Sequence, residues 1–106
     1  MSKRRLYYLR EALQIPAEKE ELYLEAMAKY QYEWWHSDDC AELVIYQLQE
    51  KVLLVRLWLL QEALEKVLGR AVHEEEMQFA NERLKVEVRQ ALNLTEEQFK
   101  SYPILN

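Results

Sequence analysis

At 106 residues the chain is the size of one domain, taken here as 1–106, and its 50% hydrophobic content supplies a core, which excludes a disordered segment. One Gly and two Pro are too few for a hairpin-rich β protein, while the helix formers Leu, Glu, Ala, Lys, Arg and Gln dominate. The net charge of −5 disfavours a phosphate-tracking surface, so no nucleic-acid partner is expected, and the single cysteine excludes an intramolecular disulfide or a cysteine-based zinc site.

The expected fold is therefore all-α, a small bundle of four to five helices around one long central helix. Helix one runs from Ser2 or Lys3 to Gln14, with Leu6, Leu9 and Leu13 at helical spacing. Ile15-Pro16 ends it, because the residue before a proline is pushed out of the α region. Helix two runs from Pro16 to Trp35 and presents Tyr23, Met27, Tyr30 and Trp34 as one apolar stripe. Ser37, Asp38 or Asp39 caps the next helix, and Asp39 with Glu42 has the spacing of a capping box.

Helix three is then continuous to Leu68, with Gly69 just past its end. At about 30 residues it would be about 45 Å long and central to the bundle. Helix four spans Arg70 to Leu92, and Thr95-Glu96-Glu97-Gln98 is a second capping box opening a short helix that Pro103 stops. The segments Arg10–Ile15 and Arg89–Leu94 echo each other, which points to shared helix-exit chemistry.

Two anomalies on helix three carry most of the functional reading. Glu42, Gln49 and Arg56, spaced by seven, fall near the centre of its broad apolar face. Buried polar groups need partners, so Gln49 and Arg56 are expected to meet a Tyr hydroxyl or a Glu. They form either a register-fixing polar layer or a pocket in which Arg56 holds an anion. Conversely, Leu54 and Trp58 sit one turn apart on the polar face of the same helix. Helix four repeats this doubling: Met77, Ala80, Leu84, Val88 and Ala91 form its main stripe, with Val72, Phe79 and Val86 on nearly the opposite side.

Helices apolar on two sides are hard to bury in so small a chain. Leu54, Trp58, Val72, Phe79 and Val86 are thus the expected partner-binding residues of a non-catalytic protein–protein interaction module. It would be a small adaptor, regulator or assembly factor with a protein partner, self-associating as a homodimer. The alternative is a metal-dependent enzyme acting on a nucleotide or other phosphorylated small molecule through helix-borne carboxylates, with Glu18, Glu21, Glu25 and Glu42, or Glu74-Glu75-Glu76, as candidates.

No cofactor is expected. With His36 and His73 as the only histidines, Glu33-Trp-Trp-His36 is the one metal-like spacing, and on the polar face of a helix it is expected to be a solvated pair. The basic start Lys3-Arg4-Arg5 is followed by no apolar leader segment, and Val52–Leu60 is too short to span a bilayer and contains Arg56. With one free thiol at Cys40, a cytoplasmic protein without membrane contact is expected.

Overall fold

The computed structural model describes residues 3–79 and 81–101, apart from the side chain of Phe79; the expected start at Ser2, the stripe position Ala80 and the stop at Pro103 lie outside the described residues. The described chain is helical and contains no strand. Its α-helices are α1 (Lys3–Tyr7), α2 (Glu20–Ala28), α3 (Cys40–Leu48), α4 (Leu57–Leu68), α5 (Glu74–Phe79), α6 (Asn81–Ala91) and α7 (Glu96–Lys100).

The first helix follows the expectation closely. α1 widens into a π-turn over Tyr8–Ala12, in which the Leu13 N–H reaches back to the Tyr8 carbonyl at 3.1 Å. Gln14 then takes a left-handed backbone with φ 56°, and the Ile15 N–H closes onto Leu9 O at 2.8 Å. Asn93 does the same after α6: its φ is also 56°, and Leu94 N–H bonds Arg89 O at 2.9 Å. The echo between the two segments is a shared left-handed exit, which satisfies carbonyls at a helix end.

Helix two is shorter than its apolar stripe suggests. It ends at Ala28, and the Arg5 guanidinium donates to the carbonyls of Met27 and Tyr30, each at 3.2 Å. This cap comes from α1, so nothing local announces it. The chain then turns, and Trp34 and Trp35 enter the core from a single 3₁₀ turn, Trp34–His36. Trp34 stacks on Tyr46 at 5.3 Å between ring centroids, and the Arg5 guanidinium lies 5.3 Å over Trp35.

The long helix three is not continuous. Asp39 caps α3 as expected, accepting from the backbone N–H of Ala41 at 3.0 Å and Glu42 at 3.3 Å, but the box with Glu42 is not closed, since the Asp39 N–H donates to Ser37 Oγ at 3.1 Å. Leu43 to Leu48 are then all buried, so this nine-residue helix is surrounded on every side and forms the centre of the core. The helix stops at Leu48, and residues 49–56 form a loop before α4 starts at Leu57. The reason is visible in burial. On a straight helix Leu54 would face solvent and Arg56 the core; with the break, Leu54 and Val55 are fully buried and Arg56 is exposed.

The loop is held by side chains rather than by turn residues. Gln47, itself buried, donates from Nε2 to Val52 O at 2.8 Å and accepts from Leu54 N–H at 2.8 Å. The Tyr8 hydroxyl donates to Leu54 O at 2.7 Å. Glu50, also buried, accepts from the Tyr30 hydroxyl and pairs with Lys29 at 3.2 Å.

Gly69 ends α4 as expected, with φ 68° and its N–H on Glu65 O at 2.8 Å. Helix four then begins at Glu74 rather than Arg70. Val72 belongs to the intervening loop and is buried, with its C=O held by Gln61 Nε2 at 2.7 Å and its N–H by Glu65 Oε2 at 3.0 Å. α6 packs Leu84 and Val88 into the core beside α3 and α4. The Thr95–Gln98 capping box opens α7, which buries Phe99.

Candidate functional site

Two adjoining hollows meet at Arg56, the last residue of the break between α3 and α4. A cleft of 380 Å³ lies between the Tyr8–Ala12 turn, the 35–40 segment and α4 as far as Lys66, with Leu43 of α3 at its wall. A second hollow of 430 Å³, lined by Arg4, Tyr7 and Glu11, adjoins it and shares Tyr8, Ala12, His36 and Arg56. Leu43, Leu59 and Ala63 give the first cleft apolar walls, and Trp58 stands on it with 56% of its surface exposed. Tyr7, on the second hollow, is 69% exposed.

Arg56 lies where the two hollows meet. Its Nε donates one long bond, 3.3 Å, to the Ala12 carbonyl, and no carboxylate among the described residues is within ion-pair distance. It is also the first residue before α4, whose opening turn has no acidic side chain and no side-chain cap. Beside it, burial pushes the Tyr8 hydroxyl up to about 12, against a smaller downward pull from Arg56, so Tyr8 stays neutral at physiological pH. His36 is edge-on to Tyr8 at 4.8 Å between ring centroids. Burial, and then Arg4, push the His36 pKa down, with Glu33 opposing, which favours the neutral imidazole.

Of the residues expected to bind a partner, only Trp58 lies on this cleft. Leu54 and Val72 are core residues, 0% and 1% exposed, so the exposed patch attributed to them is not present. Val86 is 45% exposed on α6, away from the cleft lining. The Phe79 side chain lies outside the described residues.

The buried polar layer of Glu42, Gln49 and Arg56 is also corrected. The three share no helix face, because the chain leaves α3 at Gln49. Glu42 is only half-buried and accepts from the Tyr32 hydroxyl at 2.5 Å. Gln49 is bonded to backbone, donating to Ile45 O at 3.1 Å and Phe99 O at 2.9 Å, where a Tyr or Glu was expected. The buried polar residues are Glu20, Gln47 and Glu50 instead. Arg56 does line a cleft, as the pocket alternative required, but from an exposed position.

The acidic groups are mostly engaged. Glu33 faces Arg4 and Arg5, each at 3.4 Å, and His36 at 3.7 Å. Arg70 bridges Glu76 at 2.8 Å and Glu87 at 2.9 Å. That pairing, with the His73 backbone N–H, holds the Glu76 carboxyl down to about 2. The structure brings no three acidic, histidine or cysteine side chains into a metal-holding group among the described residues. Glu18, Glu21 and Glu25 are exposed. The cleft itself holds Asp38 and Glu62, and Glu62 is paired with Lys66 at 3.3 Å.

Tyr7 and Tyr8 are cleft residues that the sequence did not single out, and His36, read there only as a solvated pair with Glu33, also lines the cleft. The adjacent tyrosines and His36 come from distant segments, so no local spacing could group them. In comparisons with known proteins, no family model, no curated protein and no solved structure matches the chain. Among the described residues, no helix is long and apolar enough to cross a membrane.

Proposed function

We propose that the chain is a non-catalytic protein–protein interaction module, an adaptor, regulator or assembly factor, that docks a segment of another protein in the double cleft around Arg56. One observation carries this reading. Tyr7 and Trp58, the two most exposed large hydrophobic side chains among the described residues, stand on the two adjoining hollows, with Arg56 between them. Trp, Tyr and Arg are the residues that most often dominate binding energy, and they do so where a cavity lets them be desolvated.

The homodimer loses its area argument, since two of the five residues assigned to it are interior. A different protein is therefore the proposed occupant. The metal-dependent alternative calls for several carboxylates converging on one cavity, and the cleft offers Asp38 and an already paired Glu62. A cytoplasmic setting belongs to the same proposal: Cys40, a free thiol, lines the cleft and suits a reducing compartment.

The test is site-specific photo-crosslinking in the native cell, with a benzophenone amino acid at Tyr7, Trp58 or, as control, exposed Leu22. Positions 7 and 58 are expected to capture the same protein, and position 22 not to. Equal background at all three positions overturns the reading. Capture of a second copy of the chain by both cleft positions replaces the heterologous partner with a homodimer.

A further inference from the structure

Resting on that reading, we infer that the docked segment is acidic: it brings a carboxylate to Arg56 with an apolar side chain close by in sequence to cover Trp58. The basis is an imbalance of charge. The chain has 19 acidic against 14 basic residues, and four of its seven arginines have a carboxylate partner among the described residues. Arg4 and Arg5 share Glu33, Arg10 has Glu20 at 2.7 Å, and Arg70 has Glu76 and Glu87. Among the described residues Arg56 has only the long bond to Ala12 O; Arg83 and Arg89 also lack a carboxylate partner there, but neither lines the double cleft.

Its neighbours leave this cation unneutralised. The Tyr8 proton is already given to Leu54 O. Lys66, the other cation of the first cleft, is occupied by Glu62 at 3.3 Å. What an incoming chain meets is thus a guanidinium with free donors beside the apolar Leu43, Leu59 and Ala63, with Asp38 and Glu11 also on the lining but not paired to it. A carboxylate matches this geometry, because an arginine fork can hold it through two parallel hydrogen bonds. Screening by salt weakens such a pair at the rim, while burial under a docked segment strengthens it.

Trp58 lies two residues beyond Arg56, at the start of α4. A segment seated on both must therefore carry its acid and its apolar anchor near each other. The proposal is a short motif with Asp or Glu a few residues from a Leu, Phe, Tyr or Trp.

The full chain, immobilised, is panned against a random twelve-residue phage library. Fluorescein-labelled peptides of the enriched sequences are then titrated by anisotropy against wild type, Arg56→Gln, Arg56→Lys, Trp58→Ala, Tyr7→Ala and the control Leu22→Ser. Enriched sequences are expected to share the acid-plus-apolar motif. Arg56→Gln should weaken binding roughly tenfold or more, Arg56→Lys less, and Leu22→Ser not at all. Replacing the peptide's acid by its amide should cost little further in Arg56→Gln, which identifies the pair.

Enriched peptides without an acid, or binding that needs Trp58 but ignores Arg56, overturn the acidic motif and leave the docking cleft standing. Failure to select any peptide sensitive to Trp58→Ala or Tyr7→Ala overturns the docking reading as well. Circular dichroism on each variant shows that the fold is retained, as expected for exposed positions.

Discussion

Two loops each bury an apolar residue, one inside what reads in the sequence as continuous helix and one at the break that Gly69 marks, and they solve the same problem with different means. In 49–56 the buried residue is Leu54, and in 69–73 it is Val72. Each is an apolar plug whose backbone N–H and C=O are both held by side chains: Gln47 and Tyr8 for Leu54, Glu65 and Gln61 for Val72. A buried loop must satisfy its polar backbone, and side-chain clamps do so where no ladder is available. The difference is range. The second clamp is drawn from the helix just before it and is announced by Gly69, whereas the first needs Tyr8, 46 residues away.

The largest expected effect tests the longer-range clamp. Gln47→Ala leaves the Leu54 N–H and the Val52 C=O without partners, at about 1–3 kcal/mol for each group, so a loss of about 2–6 kcal/mol is expected in urea melts. Hydrogen exchange at the Leu54 amide should accelerate together with that loss. Gln61→Ala strands only the Val72 carbonyl and should cost about 1–2 kcal/mol. Equal losses in the two variants would break the distinction between the loops.

The same comparison explains what was legible. Gly69, the Asp39 cap and the Thr95–Gln98 box were all read correctly, because each acts within four residues of its own position. The exits at Gln14 and Asn93 were visible as a repeated segment. The end of α2 was not legible, since Arg5 makes it from another helix. The break at 49–56 contains neither Gly nor Pro, but it left a signal: Leu54 on the polar face and Arg56 on the apolar face of a hypothetical single helix. A dimer explains such misplaced residues, and so does a helix that changes phase. The chain takes the second solution, which removes Leu54 from the surface and delivers Arg56 to it. Of the cleft, only Trp58 and Arg56 carried a binding expectation, because Tyr7 and Tyr8 give no signal in the sequence and His36, expected as a solvated pair with Glu33, joins the cleft through tertiary packing.

Tyr8→Phe sharpens the comparison further, since it deletes one half of the first clamp while keeping the ring. A loss of about 1 kcal/mol near neutral pH is expected for the bond to Leu54 O. Titration adds an independent signature. Tyr8 rises from its ordinary value of 10.0 to about 12 in the fold, chiefly because burial disfavours the phenolate. The unfolded chain therefore releases its proton first, and the stability held by neutral Tyr8 is full below about 10 and lost progressively as pH climbs through about 12. Tyr30, pushed up by burial and by its bond to Glu50, adds to the same alkaline loss. Tyr8→Phe should shallow that decline between about pH 10 and 12 without abolishing it. An unchanged alkaline limb would show that the hydroxyl is not confined by the loop.

The smallest expected effect separates the two accounts of Arg56. On one straight helix Arg56 sits on the apolar face, and Arg56→Ala then strands a buried partner at a cost of about 3–5 kcal/mol. On the broken helix it is exposed, with a single 3.3 Å bond to the Ala12 carbonyl, and that carbonyl can turn to water once the guanidinium is gone. Surface substitutions of this kind change stability by no more than about 0.5 kcal/mol. Urea melts of Arg56→Ala should accordingly overlay those of the wild type, with the same slope. A loss of several kcal/mol would restore the continuous helix and bury the cation, and the cleft around it would have to be redrawn. A neutral result gives the position its functional meaning, because a cation that adds nothing to folding, in a chain with acids to spare, is free to meet a carboxylate from outside.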